Sequence, residues 1–277
     1  MKTRTVGVVA ALVALPTVAA LLPSRLDALV GARATRVARV ASTPVVKRAT
    51  SAANTRRPTP KGTATLWSVT VTTGNEDFSP GTRDAVQAAA RKRIRGAGCT
   101  NPGPGTGAYT LAGNRVTGPT TAHLNPSRGP AGAASVFQAA FNSWAAADGN
   151  APSIAVATDS SVSSPQADGR YELMFAPLTG RTLAITYTWH WSSGAWESDV
   201  VFSTKAPWFI APGEGDGCYE GVAAYDLQNT ATHEFGHVYG LNHVSSPFNT
   251  MAPTATMGET YKRSLASGDV AGLRAKY

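Results

Sequence analysis

The sequence predicts an α+β fold. Short apolar or alternating runs at residues 120–125, 153–158, 171–177, 183–191 and 197–203 have the length and pattern of strands. Segments with apolar residues at helical spacing alternate with or follow them, at 131–147, from Asp226 onward and at 267–276. The chain has 277 residues, 43% of them apolar, enough for one sizeable core plus accessory segments. No internal repeat interrupts this order.

The first 62 residues differ in character from the rest. Lys2 and Arg4 precede an apolar run at 6–22, broken only by Pro16 and Thr17, with small residues such as Ala19 and Ala20 near its end. That is the pattern of a cleaved export signal within residues 1–30. A membrane anchor would have to make do with 17 residues and a proline. Residues 31–62 are rich in Ala, Arg, Thr, Ser and Pro without periodicity, a disordered basic linker or pro-segment. The net charge of +8 is concentrated here: residues 1–62 hold 11 Lys and Arg against Asp27 alone, whereas the remainder holds 14 against 16 acids. The folded body is therefore not basic, and no nucleic-acid partner is implied. A secreted, extracellular protein with no stable membrane association after signal cleavage is expected.

Residues 63–98 form a small N-terminal or pro-region. Alternation at 65–72 predicts a strand, and 82–94 predicts a helix whose end is marked by Arg91, Lys92, Arg93 and Arg95. A Gly/Pro/Thr loop at 96–107 follows, and the main domain is placed at 99–277. In the helix at 131–147, Val136, Phe137, Ala140, Phe141 and Trp144 define the buried face. The runs at 183–191 and 197–203 form a hairpin around Ser192-Ser193-Gly194. Tyr187, Trp189 and Trp191 share one face of its first strand, where packing is favoured over a substrate platform. Asp199 on the second strand could support a sheet edge, bind an ion or simply face solvent. A loop with Gly213, Gly215, Gly217 and Gly221 leads to the last helices.

The chemistry is concentrated in His233-Glu234-Phe235-Gly236-His237. On a helix, residues four apart are offset by about 40° and one turn, so His233 and His237 can share one ion. Glu234 sits about 100° from His233, beside the ligands rather than among them, where it can act as a general base on water. Asp226 is the predicted N-cap, and Leu227, Ala231, Phe235 and Val238 form the opposite, buried face. Gly240 ends the helix in a left-handed turn that returns His243 as third ligand. Three His ligands leave one tetrahedral position open, as a catalytic zinc requires. An ordinary helix with surface histidines explains neither Glu234 nor Gly240, nor why three of five histidines fall within eleven residues.

The chain from about residue 105 onward resembles the metzincin zinc metallopeptidases, and among them the matrixins, in a secreted bacterial form. The resemblance rests on the run from His233 to His243, on Ser246-Pro247-Phe248-Asn249-Thr250-Met251-Ala252-Pro253, and on residues 265–273; Glu197-Ser198-Asp199-Val200-Val201-Phe202 adds to it. It implies a twisted, mixed five-stranded sheet with an antiparallel edge strand, an active-site helix, a Met-turn at Met251 beneath the metal, and a C-terminal helix. The substrate, a protein or peptide, would lie extended along the sheet edge, assigned to 197–203. The implied activity is a monomeric zinc endopeptidase with Glu234 as base. The alternative is a protease-like binding module without activity, against which the intact Glu234 argues. No G-x-S-x-G nucleophile motif competes.

Several positions depart from the resemblance. Ile185 and Val201 stand where matrixins of animals place histidines for a second zinc, so one zinc is expected. Ser203-Thr204-Lys205-Ala206-Pro207 lacks the acids that help hold calcium, which argues against calcium there. Ala252 excludes a tyrosine ligand just after the methionine. Cys99 lies in Gly-Ala-Gly-Cys-Thr-Asn-Pro, outside a cysteine-switch context; an exported chain with two cysteines favours a Cys99–Cys218 disulfide. His123 and His190 have no ligand spacing around them and are expected to be structural or surface residues.

Overall fold

The computed structural model describes residues 59–75, 99–100 and 102–277. The export signal, most of the linker and the helix expected at 82–94 lie outside the described residues.

The strands are β1 (Ala64–Gly74), β2 (Thr110–Leu111), β3 (Thr120–Leu124), β4 (Ile154–Thr158), β5 (Tyr171–Ala176), β6 (Thr182–Trp191), β7 (Trp196–Ser203), β8 (Trp208–Phe209), β9 (Tyr225–Asp226), β10 (Leu241–Asn242) and β11 (Thr254–Ala255). The helices are α1 (Ala133–Ala147), α2 (Leu227–Val238) and α3 (Ser267–Lys276), with a 3₁₀ turn at Tyr261–Arg263. The fold is α+β. Its main sheet has the order β11-β1-β6-β7-β5-β3-β4. β4, β3, β5 and β7 run parallel, and β6 is antiparallel to β7. These are five strands of a mixed sheet, to which β1 and β11 add on the β6 side.

The edge assignment needs correction. Residues 197–203 lie in β7, an interior strand between β6 and β5, and its side chains are buried on both faces. The antiparallel strand beyond it is β6. Asp199 is likewise not solvent-facing: it is fully buried and accepts the N–H groups of Gln166 and Glu172, both at 2.9 Å. Burial pushes its carboxyl up to about 9. Its neighbour Glu197 accepts from Asp168 N–H, Gly169 N–H and the Trp191 indole, so these two acids pin the 166–170 loop to the sheet.

α1 and α2 pack together on one face of the sheet. Phe141 and Phe235 stack at 3.7 Å, Phe137 stacks on Phe202 of β7 at 4.6 Å, and the Trp144 indole donates to the Thr232 carbonyl at 2.8 Å. All five expected α1 core residues are buried. α1 starts two residues later than its pattern, because Pro130 lies in the approach and Gly132 adopts φ 90. Trp191 is buried, while Tyr187 and Trp189 are half-buried and stack on each other at 6.1 Å. His123 lies 3.7 Å from Asp159, and His190 stacks on Trp196 at 4.1 Å.

Cys99 and Cys218 form a disulfide. Cys99 is therefore not a free thiol. The bridge closes a separation of 119 residues, for which chain entropy gives about 5 kcal/mol of stabilisation. A Cys99→Ser/Cys218→Ser variant should lose up to that amount in denaturant unfolding, and the denatured wild-type chain should show no reactive thiol before reduction. Two reactive thiols would refute the bridge.

Candidate metal centre

The start of α2 is fixed twice. Asp226 accepts the Asn229 N–H at 2.9 Å, the expected cap. Arg263 grips the same carboxylate with Nε and Nη2, both at 2.6 Å, a bidentate pair that sets the helix position. Leu227, Ala231, Phe235 and Val238 are buried in the core as their spacing predicts. At the other end the Asn114 amide donates to the carbonyls of His237 and Val238, at 2.9 and 3.1 Å. Gly240 adopts φ 93, and a Cβ there would come within 2.2 Å of the Asn114 carbonyl oxygen. Only glycine fits both constraints. β10 follows and delivers His243.

His233, His237 and His243 converge. His243 Nε2 lies 3.1 Å from Nε2 of both His233 and His237. Among the described residues they are the group with metal-ligand spacing. Their tautomers follow from their partners. His233 Nδ1 lies 2.6 Å from the Thr250 carbonyl, and His237 Nδ1 lies 2.8 Å from the Leu241 carbonyl. A carbonyl can only accept, so both protons sit on Nδ1 and both Nε2 atoms present bare lone pairs. Burial, and then the neighbouring histidines, hold these rings neutral: His237 is pushed down to about 3 and His233 well below the usual histidine range. Bare lone pairs at this separation repel unless a cation lies among them. Zn–N bonds of about 2.0–2.1 Å in a tetrahedron place nitrogens about 3.3–3.4 Å apart, close to the observed spacing. The residues fit zinc.

Met251 is buried against Gly236 of α2. A Cβ on Gly236 would lie 2.2 Å from Met251 Sδ, so the glycine between the two helical ligands is what lets the methionine approach. The turn is held from α3, where Asp269 accepts the N–H groups of Thr250 and Met251 at 2.8 and 3.3 Å. Asp269 thus orients Thr250, and Thr250 orients His233.

Glu234 is fully buried beside the histidines. Its Oε2 accepts the Thr186 hydroxyl of β6 at 2.5 Å, while Oε1 has no hydrogen-bond partner in the protein. Burial pushes its carboxyl up to about 7, opposed by the Thr186 hydroxyl and by the Lys262 charge. A buried oxygen left unpartnered beside a metal-ligand group suits contact with a reacting molecule. His123 and His190 do not join the centre. Thr186, Asn114 and Asp269 were not singled out by the sequence. A threonine in a strand carries no ligand signal, and an acid in a helix's first turn reads as a cap, which Asp269 also provides through the Ala266 N–H at 2.9 Å.

The Matrixin family profile matches residues 125–277. Metalloendoproteinase 2-MMP of Arabidopsis thaliana is 38% identical over 69 residues, which cover 25% of this chain and 18% of that protein. Neutrophil collagenase of Homo sapiens is 44% identical over 55 residues, covering 20% and 12%. Matrix metalloproteinase-20 of Homo sapiens is 36% identical over 78 residues, covering 24% and 16%. The matches span less than a fifth of each of these relatives.

Chelator-stripped protein should take up one zinc per chain, measured by elemental analysis after gel filtration. His233→Ala should lose that zinc, whereas Glu234→Ala should keep it. Zinc loss from Glu234→Ala would make that residue a ligand.

Proposed function

The chain belongs to the Matrixin family, and on that premise we propose that it is a secreted zinc endopeptidase in which His233, His237 and His243 hold the metal and Glu234 is the general base. The observation that carries this reading is the pairing of three converging Nε2 atoms with a buried carboxylate whose Oε1 is free. Zinc, when bound, supplies a Lewis acid that polarises the scissile carbonyl and activates water. This chain's own residues do the rest. Thr186 fixes one oxygen of Glu234 and leaves the other to take a proton from water and return it to the leaving amine. The carbonyls of Thr250 and Leu241 hold the ligand rings in the tautomer that donates Nε2.

A single zinc suffices for this proposal. Ile185 and Val201 face each other across the β6–β7 ladder, an apolar pair. Calcium has no part in it: residues 203–207 carry no acid, and Glu197 and Asp199 direct their oxygens to backbone N–H groups. An inactive binding module would need the three ligands but not a carboxylate aligned by Thr186. The substrate class is protein or peptide.

Glu234→Ala should lower kcat/KM on a quenched peptide by about 10²–10⁴, with zinc retained. Wild-type-like turnover by this variant would overturn the mechanism. Thr186→Val should move the acid limb of the kcat/KM profile upward by about one pH unit, because the lost hydrogen bond favours the ionised carboxylate by about 1.5 kcal/mol or more. The sign follows from the base acting in its ionised form: a higher pKa leaves less of it ionised at neutral pH. An unmoved limb would mean that Thr186 does not act through Glu234.

A further inference from the structure

Lys262 is a buried cation that serves the metal centre neither as ligand nor as base. It lies in the 3₁₀ turn at Tyr261–Arg263 and is 1% exposed. Its ammonium donates to the carbonyls of Ala252 and Thr254, at 3.0 and 2.5 Å, and lies 3.4 Å from Glu259 Oε1. Three acceptors thus match its three donors. Glu259 is buried as well and is itself held. Its Oε1 accepts the Asn229 amide at 3.0 Å, its Oε2 accepts the Thr256 N–H at 3.2 Å, and its backbone pairs with that of disulfide-bonded Cys218. Asn229 Oδ1 accepts the Lys262 N–H at 2.8 Å. Asn229 belongs to α2 and precedes His233 by four residues, so it stands one turn away on the same side of the helix.

The two carbonyls that Lys262 takes lie on the segment that leaves Met251. Acceptors alternate along it. The Pro253 and Ala255 carbonyls accept the N–H groups of Thr73 and Asn75, at 3.3 and 3.0 Å, whereas those of Ala252 and Thr254 turn to Lys262. β11 ends its sheet, so on its open side the ammonium stands where a further strand would otherwise pair. The same segment continues the turn behind the metal centre. Ala252 N–H donates to the Asn249 carbonyl and Val244 N–H to the Met251 carbonyl, both at 3.1 Å, and the Thr250 carbonyl holds His233. Stability alone does not call for charges here, because two buried ions cost desolvation that apolar residues of similar volume would avoid. What the ammonium adds is a fixed point that two carbonyls must meet. Burial leads the shifts at His233, His243 and Glu234, and the Lys262 charge acts downward on all three, in keeping with an ammonium close behind the turn.

We propose that Lys262 is a positioning residue for the metal centre. With Glu259 and Asn229 it ties the 252–254 segment to α2, and through that segment it sets the Thr250 carbonyl against His233 Nδ1. It touches neither the metal nor the substrate. Asp269 fixes the turn through the N–H groups of Thr250 and Met251, and Lys262 fixes its exit through carbonyls, so donors and acceptors of the turn are each held by a buried charge. This rests on the three-histidine reading and deepens it.

The test compares the full-length chain with Lys262→Met and with Lys262→Met/Glu259→Gln. The single variant leaves Glu259 charged, buried and unpaired, and its melting temperature should fall. The double variant carries no such charge and should recover most of that loss, so it bears the test even if the single variant does not fold. Two readouts are taken: amide hydrogen exchange of the zinc-free chains, and zinc affinity by competition with a chromogenic chelator. In the double variant, exchange should rise at residues 250–255 while that of α1 stays as in the wild type. Zinc should bind it about tenfold more weakly, the loss expected when an outer support of a ligand is removed. A pair that serves stability alone would regain zinc affinity together with the melting temperature. That result, or unchanged exchange at 250–255, would overturn the proposal. Faster exchange there in a set of chains none of which binds zinc, the wild type included, would support Lys262 as the anchor of the turn and count against the metal reading.

Discussion

Three converging imidazoles, with His243 Nε2 3.1 Å from Nε2 of both His233 and His237 and the lone pairs of those two turned inward, are the constraint on which the rest of this structure depends. Without a cation the arrangement is repulsive, so the two helical ligands have to be held from behind. The Thr250 and Leu241 carbonyls hold His233 and His237 through Nδ1. Thr250 is in turn held by Asp269 on the C-terminal helix. The two ends of α2 are fixed by Asp226–Arg263 and by Asn114. Each layer is a buried polar group with a partner, as low-dielectric surroundings demand. Gly236 and Gly240 are where backbone has to come close enough for the layers to meet.

The parts of this legible in the sequence were those with a period or a fixed spacing. The α2 cap at Asp226, its apolar face, Gly240 and the C-terminal helix at 267–276 follow local rules and stand where the pattern places them. The α+β order and the β6–β7 hairpin were legible for the same reason. The residues that hold the site from a distance were not. Thr186 and Asn114 lie 48 and 123 positions from their partners, and a lone threonine or asparagine looks the same in sequence whether it aligns a carboxylate or meets water. The edge was misplaced because the resemblance, and no pattern in residues 197–203, carried that assignment, while in the fold β7 takes buried acids and has neighbours on both sides. Asp199 shows the physical reason: two backbone N–H groups make tolerable a burial that composition alone would not suggest.

The strand at 64–74 shows where pattern reading stops, since it joins the main sheet beside β6. Its alternation is legible, but alternation does not say which face turns inward, and here the apolar face turns outward. The same β6 strand that aligns Glu234 through Thr186 is the one whose edge β1 occupies.

The central claim concerns the metal and its donors, and zinc K-edge X-ray absorption on the purified, zinc-loaded chain tests it most directly. The account predicts three nitrogen donors at about 2.0–2.1 Å and a fourth light-atom ligand, with no sulfur. A zinc–sulfur distance of about 2.3 Å would place a cysteine on the metal, contradicting both the three-histidine centre and the Cys99–Cys218 bridge.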